Sequence, residues 1–251
     1  MDLNFKNKIF LITGSSRGIG FEVAKKLSSF GAVSVLNGRS REDLQNAKKE
    51  IPYSFAVCAD LSKQNDSKYV VEEIIKKYGK LDGIICNIGS GRSLPPGDET
   101  IDEWRRVFDL NFWSAVNIIT EAKKSIINSK GSIVCISSIC GNEIIPSAPV
   151  TYSVAKSALN HFIKGISRPF GAHGVRINGV SPGNIKFNGS VWEKKLDSNP
   201  EEVKNMLKNE VPLQTLGDTE DIANLVAFLL SDYAKFITGE IITSDGGQTR
   251  N

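Results

Sequence analysis

The stretch Gly14-Ser15-Ser16-Arg17-Gly18-Ile19-Gly20 does most to limit what this chain can become. It follows Lys8-Ile9-Phe10-Leu11-Ile12-Thr13, a short apolar run with the look of a buried parallel strand. It precedes Phe21 to Phe30, where Val23, Ala24, Leu27 and Phe30 recur at a helical period and Gly31 marks the end. A glycine-rich turn between a strand and a helix lets the backbone approach a phosphate closely. The free N–H groups and positive dipole end of the helix then face the anion. Gly14, Ser16, Arg17, Gly18, Ile19 and Gly20 are therefore candidate nucleotide contacts. The spacing is Thr-Gly-x-x-x-Gly-x-Gly rather than the commoner Gly-x-Gly-x-x-Gly.

The same alternation continues along the chain. Strands are expected at Val33–Asn37, Ser54–Cys58, Leu81–Cys86, Gly131–Ser138, Val175–Val180 and Glu240–Thr243. Helices are expected at Arg41–Glu50, Asn65–Tyr78, Thr100–Ser129, Pro149 to about Phe170, and Thr219–Ser231. Regular strand–helix alternation predicts an α/β fold: a doubly wound parallel sheet of about seven strands, with helices on both faces. No linker, repeat or composition shift divides residues 1–251, so one domain is expected. Asn184 to Pro212 departs from the pattern. It is polar, carries two helical fragments and Trp192, and follows a strand end, where open α/β sheets bind ligands. It reads as a substrate lid, bounded as 184–212.

Tyr152 and Lys156 lie four residues apart on an expected helix, hence on one face, one turn apart. An ammonium there favours the tyrosinate, and a tyrosine tuned toward neutrality can exchange a proton with a substrate oxygen. Ser138, at the end of the run Ile133-Val134-Cys135-Ile136, is placed to hold that oxygen.

Charge and cysteine usage exclude other classes. With 31 Lys and Arg against 28 Asp and Glu, the net charge is only +3, and no basic run suggests nucleic acid or a membrane surface. The early apolar run is too short for a signal segment or a spanning helix. Cys58, Cys86, Cys135 and Cys140 form no C-x-x-C, which points to free thiols in a reducing cytoplasm and no metal site. His161 and His173 lack ligand-like partners.

Taken together, Thr13-Gly14 with Gly18 and Gly20, Asp60-Leu61, Asn87 with Gly89, Asn111, Ser138, Tyr152 with Lys156, Pro182-Gly183 and Asp245-Gly246-Gly247 occur in the order, and near the spacings, of a known family. Over essentially its full length the chain resembles the classical short-chain dehydrogenases/reductases, built on the Rossmann fold. The resemblance implies that Tyr152 is the general acid in carbonyl reduction. Lys156 would lower its pKa and bind the nicotinamide ribose, Ser138 would polarise the carbonyl, and Asn111 would anchor a proton-feeding water chain. It further implies that Asp60 and Leu61 flank the adenine, that Asn87 with Gly89 lies beside the adenosine ribose, and that the backbone of Ile185, after Pro182-Gly183, holds the carboxamide. Two departures stand out. Ser138 to Tyr152 is fourteen residues, one more than is usual, and Phe187 stands where the family often has threonine.

The cofactor expectation comes from the second strand end. An NAD enzyme places a carboxylate roughly 20 residues after the glycine loop. Here Gly38 stands there, followed by Arg39, with Arg17 facing the same region. Two guanidinium forks suit a phosphate, so NADP(H) is expected over NAD(H). The leading reading is an NADP(H)-dependent oxidoreductase interconverting a carbonyl and an alcohol, on a small or carrier-linked substrate such as a 3-oxoacyl-carrier-protein or a sugar derivative. A non-catalytic nucleotide-binding regulator on the same fold, and a sugar-nucleotide epimerase, are the alternatives. A homotetramer is expected from the apolar face of Ile222, Leu225, Val226, Leu229 and Leu230.

Overall fold

A computed structural model describes residues 3–250. Apolar runs become the strands β1 (Ile9–Ile12), β2 (Val33–Gly38), β3 (Phe55–Cys58), β4 (Gly83–Cys86), β5 (Ser132–Ile136), β6 (Arg176–Pro182), β7 (Ile185–Lys186), β8 (Gly217–Asp218) and β9 (Ile241–Ser244). Seven of them form one sheet in the order β3-β2-β1-β4-β5-β6-β9, while β7 and β8 pair separately. Every pairing in the large sheet is parallel. This is the expected doubly wound arrangement. The winding reverses between β1 and β4, where such sheets open a crevice at their carboxyl ends.

The helices are α1 (Gly18–Ser29), α2 (Arg41–Glu50), α3 (Gln64–Tyr78), α4 (Ile101–Phe108), α5 (Ser114–Ser129), α6 (Val150–Gly171), α7 (Val191–Ser198), α8 (Pro200–Glu210) and α9 (Thr219–Leu230). Successive strand side chains point to opposite faces, so each face carries its own core. Leu11, Ile84 and Ile133 pack with Val70, Ile118 and Leu159 of α3, α5 and α6. Phe10, Ile12 and Ile85 pack with Val23, Leu44 and Val226 of α1, α2 and α9. No helix among the described residues is long and apolar enough to cross a membrane, and none of their His, Cys, Asp and Glu groups could hold a metal ion.

Two expectations need correction. The stretch Thr100–Ser129 is not one helix. Asp109–Trp113 widens into a π turn between α4 and α5. The apolar face of α9 is also not spare. Ile222, Val226 and Leu229 are fully buried, Leu230 nearly so, and Leu225 packs against the same core. The four buried residues are consumed against α1 and the sheet, and only Leu225 stays partly exposed. The segment 184–212 does hold its two helical fragments, as α7 and α8, with β7 ahead of them.

Candidate active site

The glycine turn follows β1. Gly14 and Gly18 have φ of +60° and +61°, the left-handed region that side chains disfavour. A Cβ on Gly20 would fall on the amide nitrogen of Asn87 and stand 2.6 Å from the Gly14 carbonyl oxygen. The turn therefore has to be bare. The helices α2, α4, α7, α8 and α9 begin with a side-chain cap, from Ser40, Thr100, Ser190, Asn199 and Asp218. Helix α1 has no such cap and no acidic residue in its first turn. Its first N–H groups remain available to an anion. A dinucleotide's diphosphate fits these residues.

The turn is held from behind by residues whose role the sequence did not disclose. Buried Ser15 donates to the Ile12 carbonyl at 2.8 Å and accepts from the Asn37 N–H at 3.0 Å, joining β1 to the end of β2. Asn87, after β4, donates its amide to the carbonyls of Thr13 (3.0 Å) and Gly14 (2.9 Å). Its side-chain donors are thus spent on shaping the turn, which leaves less of it for the ribose contact expected of it. Asp60 is similarly engaged. Its carboxylate accepts from the Ser62 N–H and hydroxyl at 3.2 and 2.8 Å, closing the turn ahead of α3. The Leu61 side chain is fully buried in the core, so only its backbone faces outward.

At the end of β2, a Cβ on Gly38 would meet Leu44 at 3.5 Å and the Ser16 hydroxyl at 3.8 Å, ordinary contact distances. Gly38 thus faces the glycine turn. Arg39 follows Gly38 in the chain and Arg17 lies within that turn; both are exposed, and neither is in an ion pair among the described residues.

Across the crevice, Ser138 leaves β5 and Tyr152 and Lys156 lie on α6. The Ser138 oxygen accepts from the Cys140 N–H at 3.2 Å, opening a 3-10 turn over Ile139–Gly141. In the loop that follows, Ile144 projects into solvent at 93% exposure and Ser147 has a φ of +64°. Lys156 is buried and donates to the Ile136 carbonyl at 2.8 Å. A Cβ on Gly89 would stand 2.9 Å from Asn111 Oδ1 and 3.1 Å from Lys156 Nζ, so the bare glycine leaves both groups the space they occupy. Asn111 sits in the π turn. Its Oδ1 accepts from the Ser90 N–H at 2.9 Å, and its Nδ2 donates to Ser90 and Val107 carbonyls at 3.2 and 3.0 Å. It anchors the strand-end loop directly, and the π turn is what brings it there, a frequent device at functional sites.

The electrostatics depart from the sequence expectation. Burial pushes the Tyr152 phenol up to about 12, with the Ser138 hydroxyl pulling the other way. Lys156 Nζ is 5.9 Å from the Tyr152 ring centroid and directed at a carbonyl, so it does not bring the tyrosine to neutrality in the free chain. Burial also draws Lys156 down to about 8, against the nearby thiols of Cys135, Cys86 and Cys140. Cys86 and Cys135 are register partners on β4 and β5. A hydrogen bond between them, together with burial, holds Cys86 well above the usual thiol range. All four cysteines are free.

One wall of the site was not foreseen. The loop of residues 90–97 passes over Tyr152, with a Cβ on Gly91 standing 3.8 Å from its ring. Ser93 and Thr151 share a hydroxyl–hydroxyl bond of 2.6 Å, and Arg106 donates to the Arg92 carbonyl at 2.9 Å. The Glu103–Arg106 pair behind them is fastened in two bonds of 2.7 and 2.6 Å, and the guanidinium holds the Glu103 carboxyl down to about 2. Only the i, i+3 spacing of Glu103 and Arg106 on α4 hinted at this in the sequence.

On the remaining side, Pro182 ends β6, and Gly183 donates to the Ser244 carbonyl at 3.0 Å. A Cβ on Gly183 would stand 2.7 Å from the Asp245 Cβ, which brings the Asp245-Gly246-Gly247 turn against this end of the crevice. The Ile185 side chain is buried in the core, so its backbone is what remains for a ligand.

Comparison with known proteins agrees with this fold. Residues 14–249 match the family model described as enoyl-(acyl carrier protein) reductase. The chain is 32% identical to an uncharacterized oxidoreductase of Methylorubrum extorquens, over 96% of this chain and 98% of that one. It is also 32% identical to a 3-oxoacyl-[acyl-carrier-protein] reductase of Chlamydia muridarum, over 96% and 97%. The structure of NAD+-bound xylitol dehydrogenase superposes with a TM-score of 0.91 at 25% identity, covering 97% of this chain and 99% of that one. These matches span nearly the whole chain, and the chain belongs to the short-chain dehydrogenase/reductase family of oxidoreductases.

Proposed function

We propose that this protein is an NADP(H)-dependent reductase or dehydrogenase acting on a carbonyl/alcohol pair, with Ser138, Tyr152 and Lys156 as its catalytic residues and Asn111 as their anchor. The observation that carries the reading is the convergence of Ser138, Tyr152, Lys156, Gly89 and Asn111 beside an uncapped, side-chain-free phosphate turn.

The cofactor would be held by Gly14, Ser16, Gly18, Ile19 and Gly20 at the diphosphate, by the backbones near Asp60, Leu61, Asn87 and Gly89 along the adenosine, and by Pro182, Gly183 and Ile185 near the nicotinamide. Bound there, it supplies or accepts the hydride. The rest belongs to the chain. The Ser138 hydroxyl donates to the substrate oxygen and polarises the carbonyl. The raised pKa of Tyr152 keeps the phenol protonated, the state needed to give a proton to the developing alkoxide. Lys156, about 8, stays mainly cationic at neutral pH and stabilises the negative charge left on the phenol. In the free chain its ammonium is held by the Ile136 carbonyl.

NADP(H) is favoured because Gly38 presents no carboxylate to the ribose 2′-position, while Arg39 next to it in the chain and Arg17 in the glycine turn offer exposed guanidinium groups to a phosphate. Substrates from the 3-oxoacyl-carrier-protein or sugar-derivative classes suit the family resemblance, with residues 184–212 as the lid. Homotetrameric assembly now rests on other surfaces: exposed Trp113 at the end of the π turn, Val150 and Val154 on α6, and fully exposed Phe236 before β9. Buried reduced thiols at Cys86 and Cys135 suit a cytoplasmic setting.

The test is turnover of a carbonyl panel with NADPH and with NADH, in the unmodified enzyme and in Tyr152→Phe. Loss of the general acid should lower kcat by about 10²–10⁴-fold while cofactor binding survives. Near-normal turnover in Tyr152→Phe would remove the tyrosine from the mechanism.

A further inference from the structure

The ring of Phe187 lies on the phosphate turn. A Cβ built on Gly18 would stand 2.7 Å from Phe187 Cε2 and 2.9 Å from its Cζ, so the ring edge is in van der Waals contact with the glycine itself. It also joins Ile19 in packing against the core cluster under α1 and α9. An anion bound to the first N–H groups of α1 needs the space immediately above Gly18 and Ile19. The ring and a diphosphate therefore compete for one place.

Phe187 also has somewhere else to go. The ring also borders a cleft of about 540 Å³ beside α7 and α8, whose lining includes Leu196, Leu207 and Leu216. That is ample for a phenyl ring, and the three leucines offer it apolar contact among polar neighbours that include Glu193, Gln214 and Asp218. The backbone is well anchored, so the side chain can move without it. The Phe187 N–H donates to the Ser190 hydroxyl at 3.2 Å, its carbonyl accepts from the Ser190 N–H at 2.9 Å, and Ser190 caps α7. Just before it, β7 is paired to β8.

We propose that Phe187 is a cofactor-site residue with two positions: on the glycine turn in the free chain, and in the cleft beside α7 and α8 when a dinucleotide's diphosphate occupies the turn. The inference rests on the reading of the glycine turn as the cofactor's site. Its consequence is that cofactor association waits on the outward position of the ring. When only a fraction of molecules is competent, apparent affinity falls by that fraction. With a competent fraction near 10%, within the usual range for a minor conformer, removing the ring should speed association on the order of tenfold. Because α7 begins at the residue that holds the Phe187 backbone, the same movement would be felt at the start of the lid helix.

The experiment is stopped-flow mixing of the full chain with NADPH, followed by nicotinamide fluorescence and needing no turnover. Four proteins are compared: unmodified, Phe187→Ala, Leu207→Trp, and the double variant. Phe187→Ala should raise the association rate constant on the order of tenfold. Leu207→Trp fills the cleft far from the turn. It should slow association and raise Kd in the unmodified background, and it should do neither when Phe187 is already alanine. Equal association rates for the unmodified chain and Phe187→Ala would overturn the proposal, as would a Leu207→Trp effect of the same size in both backgrounds. Failure of the unmodified chain to bind NADPH or NADH at all would overturn the cofactor reading and this proposal with it. Binding that is saturable but insensitive to Phe187 would overturn this proposal alone.

Discussion

Replacing Lys156 with methionine separates what the active site needs from what the fold prefers. The side chain is 2% exposed, and burial holds its pKa near 8 against an ordinary value of 10.5. The unfolded chain therefore binds a proton more tightly at this position than the folded chain does. Below the folded pKa both states are charged, and the folded state bears the whole cost of a buried ammonium. A depression of 10.5 − 8 = 2.5 units corresponds to about 3 kcal/mol. Methionine has similar length, carries no charge and suits a site beside Cys86, Cys135 and Cys140. Against this gain, the bond to the Ile136 carbonyl is lost, and a buried group without its partner costs about 1–3 kcal/mol. Lys156→Met should thus be as stable as the unmodified protein at pH 7, or more stable by up to about 2 kcal/mol, while losing turnover. The sign with pH is fixed. Between the folded and unfolded pKa values the unfolded chain holds the extra proton, so the stability of the lysine protein rises with pH relative to the methionine variant. The gap should move toward the lysine protein by about 1 kcal/mol from pH 7 to pH 9. Urea unfolding of both proteins without cofactor, at matched concentration across that range, measures it. A methionine variant that is clearly less stable at pH 7, by an amount that does not change with pH, would refute the account of Lys156 as a buried charge tolerated for function.

Other expectations follow from the same contacts. Gly20→Ala drives a methyl group into the Asn87 amide and the Gly14 carbonyl; overpacking of this kind costs about 1–3 kcal/mol, and both a lower melting temperature and loss of NADPH binding by fluorescence titration should result. Gly38→Asp should be tolerated, since its Cβ meets only ordinary contacts, and should move the ratio of kcat/KM toward NADH. Arg39→Ala should raise KM for NADPH more than for NADH, and equal kcat/KM for the two cofactors in the unmodified enzyme would end the NADP(H) assignment. Light scattering at micromolar concentration should give the mass of four chains, and Phe236→Asp with Val154→Asp should reduce it; a monomeric unmodified protein would refute the assembly.

The fold class was legible in the chain because its signals are local. A strand that stops at glycine, a helix that starts there, and the repetition of that unit are short-range patterns, and a parallel sheet buried on both faces is their natural solution. The positions of Tyr152 and Lys156 on one helix face are equally local, since α-helical geometry alone sets them. Tertiary structure decided what depends on distant backbone. Asn87 looks like a ribose contact in the sequence, yet its amide is taken by Thr13 and Gly14, more than seventy positions away. The face of α9 looks spare until α1 covers it. The pairing of Ser93 with Thr151 and the π turn at Asn111 depend on where helices meet, which periodicity does not encode. The protonation of Tyr152 and Lys156 shows the difference most plainly. Residue types at four-residue spacing foretell a charge–phenol pair, but the sign and size of each pKa shift come from desolvation and from the carbonyl the lysine chooses, and both are properties of the packed interior.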